Sequence, residues 1–132
     1  MATPEEHWLH IIDRLSALGQ KRATRVIYYL ALIVILGMAL MPQAGEPGFP
    51  QADKVMHFLL FALLAVGSRL THQRTPAPYL AAGLLCYGGV MELMQGMTSW
   101  RTASGGDLLA DGLGILAGLA AARLRNTRGQ KL

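Results

Sequence analysis

The stretch from Val26 to Met41, VIYYLALIVILGMALM, contains no charged side chain and constrains the fold more than any other part of the chain. Crossing hydrocarbon as a helix takes ~20 mostly apolar residues, and with Ala23 and Thr24 this run approaches that length. Lys21, Arg22 and Arg25 precede it. Bases, an apolar core and small residues also make up a secretory signal peptide. Against that reading, the run starts only after a helix of its own, and further apolar segments follow it.

Three more segments follow. Val55–Leu70 carries His57 within its apolar body, and Tyr79–Met97 has Glu92 and Gln95 near its end. A fourth runs from Gly106 to about Ala122 and opens with Asp107 and Asp111. The stretches GEPGFPQADK, THQRTPAP and TSWRTASGG between segments are rich in loop-forming residues. Composition agrees: 52% of residues are apolar and 15% charged, where a soluble domain carries about 25% charged residues. The expected fold class is all-α, an integral membrane bundle of four transmembrane helices with an N-terminal amphipathic helix. For that first helix, Thr3 and Glu6 have capping-box spacing, Pro4 suits the first helical position, and Trp8, Leu9, Ile11, Ile12, Leu15 and Leu18 recur on one broad side. Gly19 is its expected stop. The organisation is then residues 1–22, an amphipathic helix and basic segment; residues 23–124, the four-helix domain; and residues 125–132, a basic tail.

The formal charge of +4 raises nucleic acid as a partner. The bases instead flank apolar segments, and no basic and aromatic face is visible, so no nucleic acid is expected. A single cysteine, Cys86, excludes an intrachain disulfide framework and a Cys-rich zinc site. Its place in an apolar run reads as a small buried hydrophobe. With four spans, ten of the 12 Lys and Arg residues share the side of the two termini and the middle loop, leaving Lys54 and Arg101 on the other. By the positive-inside rule both termini face the cytoplasm, and the loops at 42–54 and 98–106 face outward.

The polar residues within the segments then acquire a pattern. His57, Glu92, Asp107 and Asp111 come from three different segments, yet with ~1.5 Å rise per residue all lie within one or two turns of the outer interface. Gln95 lies nearer the surface, and Asp53, Lys54 and Arg101 stand in the adjoining outer loops. Asp107, Asp111, Gly114 and Gly118 fall on one helical stripe, as do Gly88, Glu92 and Gln95. Asp53 and His57, four apart, share a face if their helix begins early. Gly114 and Gly118 form a small-xxx-small pair suited to close helix packing. An ionised Asp costs ~2.5–3.5 kcal/mol at mid-depth in a span and less near the interface, so these groups should face the bundle interior or a wet cavity. Asp107 and Asp53 also read as N-caps of their helices, where a carboxylate is favoured. Tyr28, Tyr29, Tyr79, Tyr87 and Trp100 suit packing or an interfacial aromatic belt.

The elements DKVMHF (Asp53–Phe58), ELMQG (Glu92–Gly96) and WRTASGGDLLADGLGILAG (Trp100–Gly118), in this order and spacing, resemble the VanZ-like family of small bacterial membrane proteins. The resemblance runs from about Val26 to Arg123. It departs at Asp111, where many members carry Asn, and at Ser104, where many carry an acid. It implies a multi-pass protein of the bacterial cytoplasmic (inner) membrane with a role in the cell envelope. The family takes its name from a protein linked to resistance to the glycopeptide teicoplanin.

Four functions follow from these readings. In the first, the outer polar site binds or modifies an extracytoplasmic amphiphile, such as a lipid headgroup, a lipid-linked cell-wall precursor or a glycopeptide. Arg101 and Lys54 contact its anionic groups, while Asp53 and Gln95 complete the binding surface. His57, Glu92, Asp107 and Asp111 are then the candidates for hydrogen bonding or acid–base chemistry. In the second, Asp53, His57, Glu92 and Asp107 hold a divalent metal in a membrane enzyme, although no compact His-Glu-x-x-His motif is present; the first reading requires no cofactor. In the third, the carboxylates relay ions through a transporter, which would need a dimer and an inner set of ionisable groups that the chain lacks. In the fourth, the cluster only holds helices together in a structural partner protein.

Overall fold

The computed structural model describes residues 4–42 and 51–129, with side chains described over 18–42 and 51–124. Four helices follow in order: α1 (Pro4–Ala39), α2 (Ala52–Thr71), α3 (Ala77–Gly96) and α4 (Gly105–Gly129). No strand occurs among the described residues. Leu18–Ala39, Ala52–Thr71 and Ala77–Gly96 are each long and apolar enough to cross a membrane. The fourth expected span, α4, is not one of these three. It places buried Asp107 and Asp111 in its first two turns.

Several boundaries differ from expectation. Gly19 does not stop a helix: α1 runs through it as one 36-residue element. A single glycine inside a helix costs only ~1 kcal/mol, less than ending one continuous run of hydrogen bonds there. Apart from Leu18, which is exposed, the amphipathic stripe proposed for its first turns falls on side chains outside the described residues. At the other end, α4 continues into the basic segment as far as Gly129. Residue 124 is therefore no element boundary, and nothing in RLRNTR, without Pro or Gly, would break a helix there. Cys86 is exposed rather than buried. Its neighbours Leu84 and Gly88 hold the inward positions of α3, which turns residue 86 to the opposite face.

Helix direction follows from cross-helix contacts. Leu32 and Ala39 of α1 accept hydrogen bonds from Tyr87 and Gln95 of α3, so these two helices run the same way. His57 meets Asp111, while Ala62 lies against Gly118, so α2 and α4 also run parallel. Glu92 of α3 bonds the backbone at Ser104, where α4 begins, so α3 and α4 run in opposite directions. The result is an up-down-up-down bundle with short connections.

The tightest crossing is between α2 and α4. A Cβ built on Gly114 would overlap the carbonyl oxygen of Phe58, and one on Gly118 the carbonyl oxygen of Ala62. Only glycine permits that backbone approach. Around it lies the core: Phe61, Leu64, Ala65, Leu84, Met91 and Ile115, with Tyr28, Leu32, Ile35 and Leu36 of α1 packed along its side. Outward-facing positions are apolar too. Ile33, Leu63, Leu93 and Leu116 are each more than 60% exposed. A continuous apolar exterior of this kind suits contact with lipid rather than water.

Candidate functional site

One end of the bundle is polar inside. His57, Glu92, Asp107 and Asp111 are each at most 6% exposed, and among the described residues only Ser68 and Gln95 join them as buried polar side chains in a core otherwise of hydrocarbon. The helical period brings them together. His57 shares an inward stripe of α2 with Phe61, Leu64 and Ser68. Glu92 shares one of α3 with Leu84, Gly88 and Gln95. Asp107 and Asp111 continue the stripe of α4 that Gly114 and Gly118 press onto α2.

Asp111 has no solvent exposure. Its Oδ1 accepts a hydrogen bond from His57 Nδ1, 2.8 Å away, while its Oδ2 is buried without a hydrogen bond. The imidazole lies parallel to the Phe61 ring, 6° between planes, which holds its orientation. Gly88 makes room for this arrangement, since a side chain there would meet both the Asp111 carboxylate and the Phe61 ring.

Glu92 acts across the α3–α4 connection. Its Oε2 accepts the backbone N–H of Ser104 at 2.7 Å. The Ser104 carbonyl receives the first helical bonds of α4, from the N–H groups of Asp107 and Leu108, so Ser104 is the N-cap. A glutamate from another helix thus does what the glutamate of a capping box does locally. Asp107 is not itself the cap. It stands in the first turn, where a carboxylate is favoured by the positive end of the helix. Lys54 Nζ lies 3.6 Å from Asp107 Oδ1.

At the rim, Arg101 Nη1 donates to both carboxylate oxygens of Asp53, at 3.1 and 3.2 Å. Asp53 sits in the first turn of α2 and shares a face with His57, but Gln51 occupies the cap position. Being engaged by Arg101, Asp53 is not part of the buried ligand-like group expected of it. That group is His57, Glu92 and Asp107, each offering one donor atom, all within 4.8 Å of one another. Gln95, only 2% exposed, donates from Nε2 to the carbonyl of Ala39 and so ties α3 to the end of α1. Trp100 Nε1 donates to the Leu40 carbonyl beside it.

Beside the cluster opens a cleft of about 350 Å³ lined by Gly89, Glu92, Leu93, Ala103, Ser104, Gly105 and Leu108. Ser104 stood out in the sequence only as a departure from the family pattern; its contribution is a backbone N–H and therefore independent of side-chain type. Nor did sequence reasoning anticipate the partners of Gln95 and Trp100, which are the free carbonyls at the end of α1. No family model, no curated protein and no solved structure matches this chain.

Proposed function

We propose that the chain is a VanZ-like integral membrane protein of the bacterial cell envelope. It crosses the cytoplasmic membrane four times, keeps both termini in the cytoplasm, and binds the anionic headgroup of an extracytoplasmic amphiphile, of the class of lipid-linked cell-wall precursors. One observation carries this reading: ionisable groups from three helices meet at one end of an otherwise apolar bundle, with the cations Lys54 and Arg101 at the rim. Arg101 strengthens it. Its side chain is only 13% exposed, and its Nε is a buried donor without an acceptor. A phosphate oxygen is the natural partner for such a guanidinium. The cleft next to Glu92 has apolar walls at Leu93 and Leu108, suited to the start of an acyl or isoprenoid chain.

The test is retention of anionic lipid by the detergent-purified protein, read by native mass spectrometry, alongside teicoplanin susceptibility and growth of cells carrying each variant. Arg101→Ala should weaken lipid retention at least about tenfold, the loss expected for a charge-assisted contact worth ~1.5–3 kcal/mol. Glu92→Gln, Arg101→Ala and Asp111→Ala should each change the growth phenotype at unchanged expression. Wild-type lipid retention and growth in all three would overturn the reading. Loss of folded protein in place of altered function would favour a purely structural cluster.

A further inference from the structure

We propose that His57, Glu92 and Asp107 form a binding site for a divalent transition-metal ion, with Asp111 orienting the imidazole from behind. The three donors come from α2, α3 and α4 and lie within 4.8 Å of one another. A four-coordinate zinc ion with ~2.0–2.2 Å bonds needs its ligand atoms ~3.4 Å apart, a gap that small side-chain rotations close.

Two features separate this group from a mere cluster of acids. First, Glu92 Oε1 is buried without a hydrogen-bond partner, and Asp107 Oδ1 has only the Lys54 ammonium at 3.6 Å, beyond hydrogen-bond distance, on residues that are 6% and 5% exposed. A buried carboxylate oxygen left unsatisfied is costly, and a cation satisfies both at once. Second, His57 Nδ1 is already committed to Asp111, which leaves Nε2 for the ion. Carboxylate–histidine–metal is the usual way a protein fixes the tautomer and raises the basicity of an imidazole ligand. The donor chemistry narrows the ion. One imidazole and two carboxylates, without a thiolate, suit Zn²⁺ or Mn²⁺ better than Cu(I), and the imidazole argues against Ca²⁺ and Mg²⁺. Two carboxylates balance the charge of the ion. Three protein ligands leave a coordination position open, and Glu92 borders the cleft through which water or a phosphate oxygen would reach it.

The donors are not the headgroup cations, but Asp107 Oδ1 lies 3.6 Å from Lys54 Nζ, so the two sites adjoin and are separated by what the experiment reads, metal binding against lipid retention. The experiment uses the full chain in detergent, without a histidine tag, stripped with chelator and dialysed against Zn²⁺ or Mn²⁺. Metal content per chain, titration calorimetry and the visible spectrum of the Co²⁺-loaded protein are measured. About one ion per chain is expected, with binding weakened at least tenfold in Glu92→Gln and Asp107→Asn and ~10–100-fold in Asp111→Asn. Gly83→Ala, whose added methyl group meets nothing within 4 Å, should bind as wild type. Metal content far below one ion per chain, or stoichiometric binding that survives both Glu92→Gln and Asp107→Asn, overturns the site. Should those variants fail to fold, the wild type decides: Zn²⁺ must raise its thermal midpoint in a concentration-dependent way, and no rise overturns the proposal. Lipid retention without metal binding would sink this site and leave the headgroup reading standing.

Discussion

Asp111 is the residue whose position costs most and explains most. Its carboxylate has no solvent exposure and a single hydrogen-bonded partner, His57. Removing one member of such a pair leaves the other buried and uncompensated, whereas replacing both with hydrocarbon removes the penalty. Asp111→Leu and His57→Leu should therefore each destabilise the protein, while the double variant should be less destabilised than the sum of the two. A coupling of ~0.5–3 kcal/mol is expected from reversible unfolding in mixed detergent. Additive effects would mean that the pair is not energetically linked. The same reasoning separates Asp111 from Asp107, which the α4 N-terminus and Lys54 support in addition.

At the scale of the element, the α2–α4 contact brings His57 to Asp111. Gly118→Val should disrupt it, because the new side chain would meet the Ala62 carbonyl and the Ala65 methyl group. Overpacking commonly costs ~1–3 kcal/mol, and a clash with backbone belongs at the upper end of that range. Gly83→Ala is the control, as a Cβ there meets nothing within 4 Å. Its thermal midpoint should be unchanged or slightly raised, since alanine is the better helix former. Equal stability of Gly118→Val and Gly83→Ala would refute the close crossing. This stripe was legible in the sequence because small residues and acids recur at helical spacing on α4, and spacing alone sets which residues share a face. The facing of Glu92 and Gln95 was legible on the same ground. Other features were not. Whether Gly19 ends a helix depends on the balance between one glycine and the helix around it. Asp53 pairs with Arg101, 48 residues away, and only the assembled bundle sets that distance. The capping of α4 by Glu92 acts through a backbone N–H, which leaves no mark in residue type.

At the scale of the whole molecule, the directions of the helices turn one proposal into a test of several. Consecutive helices run antiparallel, so residues 72–76 and 97–104 connect at opposite ends of the bundle. Among the described residues, three helices have the length and apolarity to cross a membrane. If α3 crosses with the proposed orientation, residue 73 faces the cytoplasm and residue 102 the outside. Gln73 and Thr102 are both exposed, so cysteines placed there report sidedness without entering the core. The native thiol must first be removed as Cys86→Ala. In that background Thr102→Cys should react with a membrane-impermeant maleimide in intact spheroplasts, and Gln73→Cys only after permeabilisation. Cys86 itself, exposed on α3 at mid-helix, should resist the same reagent in the wild type, since that face would lie in hydrocarbon. Labelling of both introduced cysteines from outside would mean that α3 does not cross, and the reverse pattern would invert the protein. Inversion would turn the His57–Glu92–Asp107–Asp111 end toward the cytoplasm and remove the basis for an extracytoplasmic ligand, while the metal site, which depends only on the donors and their spacing, would stand.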